Sequence, residues 1–276
     1  MKSSTYDSHD DFLYYPEKYF VKPFRIFGGL WFVGNADVGA YLIDTGDGLI
    51  LIDTAYPTTR DLLIEPIWEA GFTPRDIKYI LHTHGHYDHF GTTAFIKSLS
   101  GAETALSEAD AKMFLNRPEL ALVQDAHYTK MPLFEPDILL KDGDVISLGN
   151  ASVKAVSVPG HTMGVMAYFF ELEENGKKEL AGLFGGIGFN TLTREFNEKY
   201  NVPEYRENFV QSLRRVRDVP VTITLGNHTG QTDTLTKMEK LLSGDRAENP
   251  FINPEEWKRF LAKTEEKYIK FINEGN

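Results

Sequence analysis

Short apolar segments of strand type recur along the chain and alternate with segments of helical periodicity. In the first third, apolar runs at 25–33, 40–43 and 49–52 predict three strands. The last two are separated by Thr45-Gly-Asp-Gly48, and an Asp-Gly pair between apolar runs is a strong hairpin signal. Antiparallel strands are therefore expected near the start of the fold.

The rest of the chain again places strands first and helices later. The apolar segment at 77–81 predicts a buried strand. Further strands are predicted at 145–148, 153–158, 168–172, 180–183 and 221–225, and helices at about 58–70, 92–99, 108–115, 204–217, 232–242 and 255–272. Two sheets packed face to face, with helices on the outside, would satisfy this pattern.

Charge limits the partners that the protein can have. The 276 residues include 40 acidic and 29 basic side chains, and the formal net charge is −11. A field of this sign repels nucleic-acid phosphates and anionic membranes, and no Lys/Arg cluster in the sequence forms a local exception. We expect a small-molecule or peptide-like substrate and no nucleic-acid partner. The sequence gives no indication of the oligomeric state.

Two absences narrow the chemistry and the location. The chain has no cysteine, which excludes disulfides, thiol catalysis and thiolate metal sites, so any zinc must be bound by His and carboxylate. No segment approaches the roughly 20 apolar residues of a membrane span, so no membrane partner is expected. The first residues lack an apolar signal core. We expect a cytoplasmic protein, or a periplasmic or secreted one if a signal peptide has been removed.

The segment 81–91, Leu-His-Thr-His-Gly-His-Tyr-Asp-His-Phe-Gly, carries the most informative pattern in the chain. It places four histidines and one aspartate within eight positions. Histidine is the commonest metal ligand among side chains, and residues two apart in an extended loop point the same way. His84 and His86 are therefore expected to bind one ion, and Asp88 and His89 a second ion close by.

Each ion still needs a third protein ligand if one coordination position is to stay open for chemistry. Two other histidines lie at predicted strand ends: His161 follows Val-Pro-Gly, and His228 follows Leu-Gly-Asn. The sequence thus offers six ligands on three loops. A lone histidine at a strand end is more often a hydrogen-bonded surface residue, and the packed cluster carries the argument.

Several nearby residues receive weaker interpretations. His82 is interpreted as a buried residue behind the ligands, and His127 as a residue that lines a pocket; His9 has no expected role. Asp53 ends the second hairpin strand, where it either accepts a hydrogen bond from a ligating histidine or is a simple turn aspartate. The pattern alone favours neither reading.

These motifs resemble the metallo-β-lactamase superfamily. Thr83-His-Gly-His-Tyr-Asp-His89 is similar to its T-H-x-H-x-D-H motif, Pro159-Gly-His161 to its next ligand loop, and His228 to its last ligand. The resemblance runs from about Pro23 to Phe271. It implies an α+β fold, a four-layer αββα sandwich of two mixed sheets with helices on the outer faces. We expect residues 1–22 to form a tail and residues 23–276 a single domain.

Within the superfamily the chain is most similar to the third metallo-β-lactamase subclass. The opening Pro23-Phe-Arg-Ile-Phe-Gly28 and the late segment Asn249-Pro-Phe-Ile-Asn-Pro254 carry this likeness. It implies two zinc ions per chain, one bound by His84, His86 and His161, the other by Asp88, His89 and His228. The bridging aspartate of lactonases and glyoxalase II is missing from the segment 183–189. His86 stands where related di-iron oxidoreductases carry glutamate.

The resemblance implies hydrolysis of β-lactam rings (carbapenems, cephalosporins, penicillins), and hence antibiotic resistance, through attack of a metal-bound hydroxide. Asp88 would orient the attacking hydroxide, and the zinc on His84, His86 and His161 would polarise the carbonyl; these four residues are the expected catalytic set. Thr162 and Asp53 would support the ligands. Tyr87, Phe90 and Phe189 are expected to line the pocket.

One departure keeps a second reading open. Gly186 and Gly188 stand where the subclass often has serines that help to hold the β-lactam carboxylate. The alternative is therefore a zinc hydrolase of a lactone, ester or thioester on the same ligands. A third reading gives the zinc a structural or sensing role without catalysis. The native metal also stays open, because His and Asp accept iron and manganese too.

Overall fold

The computed structural model describes residues 15–125, 131–244 and 249–276. The larger of its two sheets is built from β1 (Phe24–Phe27), β2 (Leu30–Phe32), β3 (Tyr41–Asp44), β4 (Leu49–Ile52), β5 (Ile77–Leu81), β6 (Glu103–Ser107) and β7 (Ile138–Leu140). These strands lie side by side in chain order. β1 to β4 pair antiparallel, and β4 to β7 pair parallel, so the sheet is mixed.

The first strand prediction was wrong in one respect. The apolar run at 25–33 was expected to form one strand, but the chain turns at Gly28-Gly29 and forms the β1–β2 hairpin. Gly28 has φ +52°, and a Cβ there would lie 2.8 Å from the carbonyl oxygen of Glu173. The predicted turn at 45–48 is confirmed between β3 and β4.

The smaller sheet is built from β8 (Val145–Leu148), β9 (Ala151–Ser157), β10 (Met166–Glu174), β11 (Lys177–Phe184) and β12 (Ile223–Gly226). Its strand order is β12-β11-β10-β9-β8. β8 to β11 form an antiparallel meander, and β12 pairs parallel to β11.

The helices are α1 (Asp61–Glu69), α2 (Tyr87–Phe90), α3 (Thr93–Ser100), α4 (Glu108–Asn116), α5 (Arg194–Tyr200), α6 (Pro203–Val216), α7 (Thr234–Leu242) and α8 (Glu256–Asn273). Six of them match predicted helices to within a few residues. The sequence pattern missed α2, α5, β6 and β7, which are all short.

The two sheets pack face to face, and each has helices on its other side. Phe32 and Ile50 of the first sheet share one apolar cluster with Phe170 and Leu183 of the second. A second cluster joins the first sheet to α1 and α3, and a third joins the second sheet to α6 and α8. Every described strand except β8 thus buries at least one apolar side chain, and Ile146 and Leu148 of β8 are partly buried against the same cluster. This arrangement confirms the predicted four-layer αββα sandwich.

Two features bear on the ends of the fold. Part of the expected tail packs against the body, because Tyr19 and Val21 are buried and the Tyr19 carbonyl accepts a hydrogen bond from the Ala36 N–H. In the described parts of the chain, no helix has both the length and the apolar character needed to cross a membrane.

Candidate metal centre

The histidine-rich segment leaves β5 and changes conformation twice within ten residues. His82 to His86 run in irregular backbone, and α2 then begins at Tyr87. The expected extended backbone is found at His86 (φ −94°, ψ +147°), whereas residues 83–85 form a bend and α2 is helical. The helical turn places Asp88 and His89 one after the other beside the preceding histidines, where an extended chain would point them to opposite sides.

Three imidazole nitrogen atoms converge at the end of the first sheet. The Nδ1 atom of His86 lies 3.0 Å from Nε2 of His84 and 3.0 Å from Nε2 of His161. All three side chains are buried. We call this set the His triad. His161 comes from the loop after β9, so the face-to-face packing of the sheets brings it to the segment that carries His84 and His86.

Burial keeps the His triad neutral. It lowers the pKa of His84 and His86 well below the ordinary value, and neighbouring histidines lower both further. The pKa of His161 falls to about 4, again mainly through burial. A neutral imidazole has a lone pair on one ring nitrogen. Three neutral rings whose nitrogen atoms converge can therefore direct three lone pairs at one cation.

A second donor set adjoins the first. The Oδ2 atom of Asp88 lies 3.2 Å from Nε2 of His89 and 3.3 Å from Nε2 of His228. We call these residues the Asp88 set. Donor atoms of Asp88, His89 and His84 also lie within 4.8 Å of one another, so the two sets are in direct contact through His84.

The Asp88 set differs from the His triad in its charge. Burial opposes ionisation of Asp88, but His89 and His228 outweigh it and hold its pKa well below the ordinary value. Burial also opposes protonation of His89, but Asp88 and Asp53 raise its pKa to about 10. A metal ion would replace the protons of these histidines, so metal binding here is expected to release protons and to weaken at low pH.

Asp53 holds the ligand segment from behind. Its carboxylate lies 2.8 Å from His89 Nδ1 and accepts hydrogen bonds from the Thr83 N–H (2.8 Å) and the Thr83 hydroxyl (2.7 Å). The Thr83 hydroxyl oxygen lies 3.1 Å from Nδ1 of His84. Of the two readings of Asp53, the structure supports the acceptor for a ligating histidine. Such a contact fixes which ring nitrogen faces the metal.

His82 lies behind the donor sets, as expected. Its ring is fully buried, with Nδ1 2.8 Å from the Ala105 carbonyl oxygen and Nε2 2.7 Å from the Thr93 hydroxyl. Both ring nitrogens are thus occupied inside the first sheet. His127 and His9 lie outside the described residues.

Asp110 is a site residue that the sequence did not reveal. Its buried carboxylate accepts hydrogen bonds from the Gly85 N–H (2.7 Å), the Thr162 hydroxyl (2.8 Å) and the Gly164 N–H (3.0 Å). It therefore ties the loop of His84 and His86 to the loop of His161. In the sequence it follows Ser107 by three positions, which is the ordinary signature of a helix N-terminus. Burial raises its pKa to about 6.

His228 also has a partner that the sequence did not indicate. Its Nδ1 atom lies 3.3 Å from Oδ1 of Asp37, and the other oxygen of Asp37 accepts a hydrogen bond of 2.5 Å from the Tyr56 hydroxyl. Burial would lower the pKa of His228, but Asp37 and Asp88 raise it to about 9. Asp37 is 191 positions away in the chain, so no local pattern could have linked the two.

A cavity of about 430 Å³ opens over both donor sets. It is lined by His86, Tyr87, Asp88, Leu122, Asp125, His161, Ile187, Gly188, Asn190, Asn227, His228 and Gln231. Tyr87 thus lines the pocket as expected. Phe90 instead packs against Phe114 and Phe134 in the core, so that prediction was wrong. Phe189 packs against Phe209 and Phe271 and lines the adjoining groove rather than this cavity.

Glycines form the wall beside His161. A Cβ at Gly186 would lie 2.9 Å from His161 Cδ2, and a Cβ at Gly188 would lie 3.0 Å from His161 Cε1. The Gly188 carbonyl oxygen lies 2.9 Å from His161 Nδ1. Serine side chains at these two positions would press on the ring of His161. In this protein the amide residues of the cavity wall are Asn190, Asn227 and Gln231.

Comparisons with known proteins agree with this geometry. The family model of the metallo-β-lactamase superfamily matches residues 34–174. The FEZ-1 metallo-β-lactamase of Legionella gormanii is 28% identical, with a TM-score of 0.84, over 93% of this chain and 97% of that one. The class B3 di-zinc metallo-β-lactamase LRA-12, from an Alaskan soil metagenome, is 25% identical, with a TM-score of 0.80, over 98% of this chain and 99% of that one.

Curated sequences with other activities are similar over shorter stretches. A hydroxyacylglutathione hydrolase of Rhodospirillum rubrum is 32% identical over 112 residues, which is 39% of this chain and 35% of that protein. An N-acyl homoserine lactonase of Bacillus thuringiensis is 24% identical over 168 residues, 51% of this chain and 61% of that protein. The chain thus spans less than two thirds of the length of these curated relatives.

Proposed function

Because the chain belongs to the metallo-β-lactamase superfamily, we propose that it is a zinc-dependent hydrolase that opens β-lactam rings. One zinc would be held by the His triad and one by the Asp88 set. The observation that carries the proposal is the placement of two adjoining donor sets at the floor of one cavity. The near full-length likeness to two metallo-β-lactamases favours the β-lactam substrate over other carbonyl compounds.

The donor sets suit zinc. Five imidazoles and one carboxylate supply three ligands to each of two ions, which is the number that leaves a coordination position open for chemistry. Zinc ions bound there would supply Lewis acidity toward the carbonyl oxygen and would lower the pKa of a water molecule toward about 7.

The protein's own groups have separate roles in the reaction. The carboxylate of Asp88 faces the cavity, where it can accept a proton from the attacking water and return it to the departing nitrogen. Asp53 and Asp37 orient His89 and His228 through their Nδ1 atoms. Asn190 and Gln231 can donate hydrogen bonds to the carboxylate of the substrate. No serine or cysteine nucleophile is required, so no acyl-enzyme is expected.

A substrate panel tests the proposal. The zinc-loaded protein is incubated with a carbapenem, a chromogenic cephalosporin and an N-acyl homoserine lactone, and zinc is counted by elemental analysis. Hydrolysis of the β-lactams with two zinc ions per chain is expected. His86→Ala is the active-site control, because it removes a member of the His triad. Turnover of the lactone without either β-lactam would refute the β-lactam assignment.

A lactone, ester or thioester hydrolase on the same ligands is the second candidate. The partial similarity to a lactonase and to a hydroxyacylglutathione hydrolase favours it, as does the glycine wall at Gly186 and Gly188. The same panel separates the two candidates if a glutathione thioester is added. A folded protein with two zinc ions and no activity on any of these compounds would instead favour a structural or sensing role.

A further inference from the structure

The outer face of α8 presents three basic side chains in a line. Arg259, Lys263 and Lys267 are four residues apart, so they lie on the same side of the helix, and all three are exposed. We call them the cationic stripe. Over eight residues the helix rises about 12 Å, which is the length of the stripe. The sequence did not suggest a basic cluster here, because other residues separate the three positions along the chain.

The stripe is held in a fixed place. On the opposite face of α8, Trp257, Leu261 and Tyr268 are buried against the second sheet and α6. The indole N–H of Trp257 donates a hydrogen bond of 2.8 Å to the Val216 carbonyl. Glu265 of α8 binds Arg214 of α6. The basic groups therefore project from a helix that is anchored along its length.

The side chains of the stripe have no ion-pair partner in the described residues. In residues 15–125, 131–244 and 249–276, no carboxylate forms an ion pair with Arg259, Lys263 or Lys267. Other lysines of the same helix are paired: Lys258 lies 2.9 Å from Asp218, and Lys270 lies 3.7 Å from Glu274. Three cations without an ion pair on one face of a helix are unusual in a chain with a net charge of −11.

The stripe lines a groove that borders the candidate active site. The groove has a volume of about 780 Å³ and includes all three basic residues. It shares Ile187, Gly188 and Gln231 with the cavity over the donor sets. Gly188 is also the residue whose carbonyl contacts His161. A ligand whose reactive group lies at the donor sets can therefore extend past Gly188 onto the face of α8.

The charge around the groove favours an anion. Two carboxylates line it, but Glu256 is already paired with Lys237 at 2.6 Å. Asp233 offsets one cation of the stripe, which leaves a net excess of about two positive charges. Asp125 lines the donor-set cavity but not the groove. A substrate with a negatively charged end would therefore be oriented with that end toward α8.

We propose that the cationic stripe is a substrate subsite that binds an anionic group, such as a carboxylate, at the end of the acyl chain remote from the scissile carbonyl. The proposal rests on the proposed function, because it takes the donor sets as the place of the reaction. It narrows the substrate to acylated compounds with a terminal acid. It holds for a β-lactam head group and for a lactone head group alike.

Four compounds in a two-by-two design test the proposal. Glutaryl and pentanoyl chains are each attached to 7-aminocephalosporanic acid and to homoserine lactone, so each pair differs only in a terminal carboxylate replacing a methyl group. The head group that is hydrolysed tests the proposed function. The glutaryl-to-pentanoyl ratio of kcat/KM, in whichever pair reacts, tests the stripe. At low salt we expect a ratio of about 10, mostly in KM, that falls toward one at high salt.

Variants locate the effect on α8. Lys263→Gln with Lys267→Gln should lower the ratio about threefold or more, and adding Arg259→Gln should bring it close to one. The matched control is Lys258→Gln with Lys270→Gln, which removes two lysines from the same helix outside the groove and should leave the ratio unchanged. If neither head group is hydrolysed, calorimetric titration of the same pairs gives the ratio as a ratio of Kd. A wild-type ratio of one, or an equal fall in the control, would overturn the proposal.

Discussion

Replacing Asp110 by asparagine is expected to make the stability of the protein less sensitive to pH. The carboxylate of Asp110 is completely buried, and burial raises its pKa from 3.8 to about 6. A pKa that is higher in the folded state means that the folded state binds the proton more tightly than the unfolded chain. The stability that this proton contributes is fully present below pH 3.8 and is lost as the pH rises through about 6.

The magnitude follows from the two pKa values. Between pH 4.5 and pH 7.5, ionisation of Asp110 should lower the free energy of unfolding of the wild type by about 2 kcal/mol. Asp110→Asn has no such loss, because the amide does not ionise. The side-chain nitrogen of asparagine, however, cannot accept a hydrogen bond. One of the two bonds from the Gly85 and Gly164 N–H groups is therefore lost, which lowers the free energy of unfolding by about 1–3 kcal/mol at every pH. The variant should therefore be less stable at pH 4.5 and close to the wild type at pH 7.5.

Urea unfolding of the metal-free proteins, followed by circular dichroism, measures this difference. The other titrating groups are common to both proteins, so their contributions cancel when the two free energies are subtracted. Asp218→Asn serves as the control, since this carboxylate is exposed and its pKa is lowered by Lys258. If the difference between Asp110→Asn and wild type stays constant from pH 4.5 to pH 7.5, the reasoning about Asp110 is wrong.

The same substitution should also weaken metal binding. Asp110 joins the Gly85 N–H, between two members of the His triad, to Thr162, next to the third. Loss of one of these contacts frees the loops to move apart, and groups that hold ligands in place commonly contribute 10–100-fold to metal affinity. Competition with a zinc-binding dye measures the affinity. An unchanged zinc Kd would show that the loops keep their positions without the carboxylate.

Three further predictions concern the donor sets. His86→Ala should reduce bound zinc from two ions to about one per chain and hydrolysis by more than about 100-fold, and full activity in the purified variant would contradict the assigned ligands. Asp53→Asn should weaken zinc binding about 10–100-fold, measured by dye competition, because His89 loses the carboxylate that orients its ring. An unchanged zinc affinity would show that Asp53 is only a turn residue. Gly186→Ala should lower kcat about tenfold with little change in Tm, because the Cβ of the new alanine would press on the ring of His161. Unchanged kinetics would show that the ring is free to shift.

The sequence determined the ligand types and most of the fold. Histidines at positions 84, 86 and 89 stand so close together that a cation site follows from the spacing alone. The alternation of strand and helix patterns was compatible with two packed sheets and outer helices, because each amphipathic element has to bury its apolar side against another, and the resemblance to the superfamily supplied the four-layer order. The missed elements were α2, α5, β6 and β7. The run at 25–33 was predicted as one strand because the adjacent glycines at 28 and 29 are compatible with a bulged strand as well as with a turn.

Only the tertiary structure decided which distant residues complete the site. Asp37 reaches His228, and Asp110 reaches both ligand loops, because strand ends from two sheets meet at one edge of the sandwich. In the sequence these aspartates resemble ordinary turn and cap residues. The helical turn α2 likewise aims Asp88 and His89, and helix geometry collects the cationic stripe from separated positions. Periodicity reports which side of an element is apolar, whereas the distance between two side chains depends on how the elements pack.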